Sequence, residues 1–86
     1  MAKKRERLEI IKDILEKINE LRTIKPTRLL SSSNLSPQMF KEYIGVLVEK
    51  KFIEKKENKE FCLTVKGLEF IQEYKQIKRT IENFGL

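Results

Sequence analysis

The stretch from Asn34 to Gly67 most constrains what this chain can fold into. Ser36-Pro37 places a serine at a helix N-cap and a proline at the first helical position, the strongest local start signal in the sequence. The helix it opens is expected over 36–50. Its buried stripe would be Phe40, Ile44, Leu47 and Val48, with Gln38, Lys41, Glu42 and Gly45 on the opposite face. Two β-prone runs, Phe52 to Lys56 and Glu60 to Leu63, then flank Glu57-Asn58-Lys59 and predict a hairpin over 52–63. Phe61 and Leu63 alternate inward, Cys62 faces the other side, and Asn58 is expected to supply the positive φ of the turn. Thr64 caps a last helix over 64–84, and Gly67 permits close packing in its first turn.

Upstream, Leu8, Ile11, Ile14, Leu15, Ile18 and Leu21 form a helical stripe that Ile10 widens, predicting a scaffold helix over 5–22. Lys12–Glu16 and Asp13–Lys17, spaced four apart, support its polar side. Thr23 to Pro26 interrupts the pattern, because proline pushes the residue before it away from helical angles. Thr27 can cap a short helix over 27–33 that turns Leu29 and Leu30 inward and ends in a run of three serines. Only Ser33 to Leu35 separates it from the Ser36 helix, the short break of a helix-turn-helix. The expected fold is mainly α with a β-hairpin wing: a winged helix-turn-helix plus a C-terminal helix, one domain spanning 1–86.

Charge sharpens the picture. The net charge is +6, and its placement is uneven. Residues 1–7 carry Lys3, Lys4, Arg5 and Arg7 against Glu6, and residues 8–20 sum to −2. From Leu21 to Lys41 there is no acid at all, while Arg22, Lys25, Arg28 and Lys41 give +4. A localised positive segment attracts polyanions through charge neutralisation and counterion release. Catalytic chemistry finds little support. There is no histidine, the single Cys62 cannot build a zinc site or a disulfide, and the three glycines stand apart. All acids but Asp13 are glutamates interleaved with lysines. A non-enzymatic protein without metal or cofactor is expected. With no apolar run near the roughly 18 residues of a membrane span, a cytoplasmic location is expected as well.

These patterns point to duplex DNA. The Ser36 helix would lie in the major groove, where Gln38 can pair with adenine, Lys41 can reach guanine or phosphate, and Glu42 can accept from cytosine. Tyr43 either contacts the DNA backbone or stays partly in the core. Arg22, Lys25, Arg28 and Ser36 would hold phosphates, and Lys55, Lys56 and Lys59 in the wing would touch the neighbouring groove or backbone. On the last helix, Leu68 and Ile71 are assigned to the core. Phe70, Tyr74, Ile77, Ile81 and Phe84 follow spacings of four, three, four and three, the alternation of a coiled-coil seam, which suggests a homodimer. The rival reading is a protein-interaction module of a transcription complex that uses this same seam. Single-stranded or RNA binding would need an exposed aromatic platform that the sequence does not offer.

Leu35-Ser36, Tyr43-Ile44-Gly45-Val46-Leu47, Lys51-Phe52-Ile53 and Leu63-Thr64-Val65-Lys66-Gly67 together resemble the small archaeal winged-helix DNA-binding proteins, a group that includes the ten-kilodalton crenarchaeal chromatin-associated proteins. The resemblance implies double-stranded DNA binding by dimers joined through an antiparallel coiled coil of C-terminal helices. One departure stands out: Lys51 occupies the place before the wing where the group usually has glycine.

Overall fold

A computed structural model describes residues 7–86, so positions 5 and 6 of the first predicted helix and the basic residues before them lie outside the described residues. The elements run α1 (Arg7–Leu21), β1 (Thr23–Ile24), α2 (Pro26–Ser33), α3 (Pro37–Glu49), β2 (Ile53–Lys55), β3 (Phe61–Leu63) and α4 (Val65–Asn83). This is the expected winged helix-turn-helix followed by a C-terminal helix.

Helix α1 is the scaffold. Its stripe Ile10, Ile11, Ile14, Leu15 and Ile18 is buried, and the other elements close around it with Ile24, Leu29, Phe40, Leu47, Ile53, Phe61 and Ile71. Three apolar residues assigned to the interior are instead exposed: Leu8 (54%), Val48 (40%) and Leu68 (38%). Each sits at the margin of its helix stripe, where the neighbouring elements among the described residues do not reach far enough to cover it.

The interruption between the first two helices is a strand. Thr23 and Ile24 pair antiparallel with Cys62 and Phe61, giving a three-stranded sheet in the order β1-β3-β2. Arg22, with φ of 69°, turns the chain out of α1. Pro26 then holds Lys25 extended, and these constraints together make room for a short strand. Helix α2 therefore starts at Pro26 with Lys25 as its N-cap, ahead of the Thr27 cap predicted. Its serines act as anticipated: Ser32 and Ser33 donate from their hydroxyls to the carbonyls of Leu29 and Leu30, at 3.1 and 2.8 Å. Asn34 follows in the left-handed conformation and delivers Leu35 back to the core.

In the hairpin, Ile53 faces Leu63, Glu54 faces Cys62 and Lys55 faces Phe61. The turn is closed by the Lys59 amide donating to the Lys56 carbonyl at 2.8 Å. Lys59, not Asn58, takes the positive φ of 68°. Asn58 contributes through its side chain, whose Oδ1 accepts from the Glu60 amide at 3.1 Å.

An ion network ties α4 to α1. Glu16 accepts from Lys12 at 3.1 Å and from Lys75 at 3.3 Å, and the Lys12 ammonium lies 5.7 Å from the centre of the Tyr74 ring. Burial by itself would raise the Glu16 carboxyl, but the bonds and charges of Lys12 and Lys75 outweigh it and hold the group below its ordinary value. Burial likewise works against the Lys12 ammonium, and Glu16 and Asp13 overcome it to hold Lys12 above its ordinary value. Among the described residues no helix is long and apolar enough to cross a membrane.

Candidate nucleic-acid interface

Helix α3 is held at both ends. At its start, the Ser36 hydroxyl accepts from the Met39 amide at 3.2 Å, with Pro37 in the first turn. At its end, the Phe52 amide donates to the Leu47 carbonyl at 2.9 Å and the Lys51 amide to the Val48 carbonyl at 3.0 Å. That is the Schellman pairing, here closed by Lys51 at φ 65° where glycine is the usual residue.

The start of α4 clasps this same end. The Thr64 hydroxyl lies 2.7 Å from the Lys51 carbonyl and 3.0 Å from that of Phe52, and the Lys66 ammonium donates to the Lys50 carbonyl at 2.9 Å. Lys66 also lies 4.9 Å from the centre of the Phe52 ring. Gly67 makes the close approach possible, since a Cβ there would overlap the Phe52 carbonyl oxygen. The Leu63-to-Gly67 motif is thus a device that fixes where α3 ends.

With Phe40 and Leu47 buried, α3 turns Gln38, Lys41, Glu42, Gly45, Val48 and Glu49 to solvent. Gln38, Lys41 and Glu42, the three predicted base-reading residues, therefore share one exposed face. Tyr43 is half-buried against the core, and the Arg7 guanidinium stands 5.7 Å from its ring centre. Sequence reasoning missed Arg7 at this place, because one arginine of a basic run carries no signal of which side chain it will cover. It also missed exposed Met39, which lies with Glu42, Tyr43 and Val46 around the same hollow as Arg7.

The acid-free segment folds into the strand and helix beside α1. Arg22, Lys25 and Arg28 are all exposed. Lys25 and Arg28 border one shallow hollow with Leu21, Thr23, Ile24 and Glu60, so a carboxylate from the turn end of β3 shares their surroundings. The N-cap Lys25 makes no side-chain capping bond at the start of α2, whose first turn carries Arg28. Lys55 and Lys56 line another hollow at the wing tip with Glu57 and Asn58, and Lys59 sits exposed at the turn.

The C-terminal seam divides into two parts. Phe70 and Tyr74 are half-buried in their own domain: Phe70 meets Phe52 edge-on with ring centroids 5.6 Å apart, and Tyr74 follows 6.2 Å from Phe70. Ile77, Ile81 and Phe84 are exposed at 58%, 44% and 77%. Among the described residues no group of three or more His, Cys, Asp or Glu gathers as metal ligands.

A winged helix-turn-helix family model matches residues 4–82. An uncharacterized protein of Methanocaldococcus jannaschii is 31% identical over 78 residues, a match that covers 91% of this chain and 36% of the archaeal protein. The chain thus spans little more than a third of the length of that relative.

Proposed function

The chain belongs to the winged helix-turn-helix family, and from that premise we propose that it binds double-stranded DNA as a transcriptional regulator or architectural protein. Helix α3 lies in the major groove, with Gln38, Lys41 and Glu42 toward base edges. Arg22, Lys25, Arg28 and Ser36 hold phosphates, with the open amides at the start of α2 adding to the anion site. The wing lysines Lys55, Lys56 and Lys59 contact the adjacent backbone. Tyr43 takes the second of its two roles, shaping the helix from beneath. The observation that carries this reading is the α3 face itself: polar, exposed, fixed at both ends, and unneeded by the core.

The reading extends to a homodimer in which a second copy covers Ile77, Ile81 and Phe84, in the manner implied by the resemblance to the archaeal chromatin-associated group. Exposure of those three side chains supports it, and equally supports the alternative of a protein-interaction module.

Fluorescence anisotropy with duplex DNA across about 50–200 mM salt tests the proposal. Affinity should fall steeply as salt rises. Arg28→Ala should weaken all sequences alike and make the salt slope shallower by about 0.9 for each phosphate left unneutralised. Gln38→Ala should instead blunt the preference between sequences. A flat salt response, or no binding at low salt, would leave the interaction module as the better reading.

A further inference from the structure

Gly45 is an anomaly in α3. It is the ninth residue of a 13-residue helix, deep in the interior of the element. Glycine there weakens a helix, because its backbone loses the most freedom on folding and it has no side chain to pack. Such a residue is usually excused by a neighbour that needs the space, as Gly67 is by the Phe52 carbonyl and Leu63. At Gly45 the described residues supply no such neighbour: a Cβ built on it meets nothing within 4 Å. The fold gains nothing from this glycine.

Its position says what does gain. At about 100° per residue, Gln38, Lys41, Glu42, Val48 and Glu49 all fall within roughly 60° of Gly45 around the helix axis. All five are exposed, so Gly45 is the centre of the free face. Bare backbone therefore lies in the middle of the surface assigned to DNA, with long polar side chains toward the N-terminal half and the short apolar Val48 one turn on. Close approach of backbone to a ligand is among the few physical uses of a non-turn glycine.

We infer that Gly45 is the contact point at which the α3 backbone seats directly against duplex DNA. It is a positioning residue: it reads no base, and it sets how deeply Gln38, Lys41 and Glu42 reach. Val48 then meets the groove at a distance suited to a thymine methyl. The inference rests on the proposed DNA-binding role of α3.

The test uses Gly45→Ala and Gly45→Leu, both better helix formers than glycine. The alanine variant should melt about 4–8 °C higher than the wild type. It should nevertheless bind duplex DNA at least about tenfold more weakly, and the leucine variant more weakly still. The salt slope should not change, since no phosphate partner is removed. Opposite signs for stability and affinity are the signature, because a purely structural glycine would weaken both together. Undiminished affinity in both variants, with Arg28→Ala still weakening binding, overturns the role of Gly45 and leaves the DNA-binding reading standing. A lower melting temperature for Gly45→Ala also overturns it, by showing that the fold needs the glycine. A wild-type protein that binds no duplex DNA removes both readings.

Discussion

Gly67→Ala should destabilise the protein, although the same exchange at Gly45 should stabilise it. Gly67 is the third residue of α4 and is buried. An added methyl would overlap the Phe52 carbonyl oxygen and lie 2.7 Å from Leu63 Cδ1. Leucine can swing aside, but the carbonyl is fixed. It accepts from the Thr64 amide at 3.1 Å, and its own residue's amide caps α3 through Leu47. Alanine recovers about 1 kcal/mol of helix propensity. Against that stand about 3 kcal/mol for overpacking at a site that cannot relax and about 1 kcal/mol for each of one or two stretched hydrogen bonds. The net is a loss of about 3–4 kcal/mol, from a domain of this size whose whole stability is roughly 4–13 kcal/mol. Thermal melting by far-ultraviolet circular dichroism should fall by roughly 10–30 °C. Gly45→Ala is the internal control, being an identical chemical change inside another helix. A Gly67→Ala protein that melts at or above the wild type would refute the reasoning, since the junction would then have yielded without cost.

Lys51→Gly should raise stability by about 0.5–1 kcal/mol, because glycine carries no Cβ penalty at φ 65° and only part of that gain is returned as unfolded-chain entropy; chemical denaturation would measure it. Glu16 has a depressed pKa in the folded state, so its network stabilises fully above the ordinary value of 4.5 and is lost as pH falls through the lower folded value. Glu16→Gln should flatten the decline of melting temperature over that acidic window, by less than about 1 kcal/mol for so exposed a network. Ile81→Lys, placed on the exposed seam near the end of α4, should leave melting at low protein concentration almost unchanged and convert the proposed dimer to a monomer in sedimentation velocity.

Local chemistry made much of this fold legible. Ser36-Pro37 located the start of α3 because capping and proline geometry are decided within a few residues. Thr64 and Gly67 located the start of α4 for the same reason. The strand at Thr23 and Ile24 stayed hidden, because so short a run carries no alternation and its partners, Cys62 and Phe61, lie far along the chain. Stripe margins were also beyond reach. Periodicity gives the direction of a buried face but not its width, so Leu8, Val48 and Leu68 were misplaced. The turn misassignment has a similar cause: Asn58 was the better left-handed residue by type, but register placed Lys59 there. For the candidate site, helical spacing sufficed to put Gln38, Lys41 and Glu42 on one face. The relation of Arg7 to Tyr43 depends on tertiary packing, which no spacing encodes.

That packing also bears on how α4 and α3 act together. The clasp of Thr64 and Lys66 joins the start of α4 to the Lys51 and Lys50 carbonyls just past the end of α3. The contact of Phe52 with Phe70, and of Phe70 with Tyr74, continues the connection along α4. Lys12 and Glu16 then brace that stretch against α1. Little freedom remains between the exposed face of α3 and the exposed residues Ile77 and Ile81. Whatever covers those residues is therefore presented with α3 at a fixed angle, not on a tether. For a second copy of the chain, the consequence is geometric: two α3 helices related by a two-fold axis, demanding half-sites about 34–36 Å apart or a multiple of that spacing. On the proposed DNA-binding reading, half-site spacing in selected DNA would report on α4 as directly as base preference would report on Gln38.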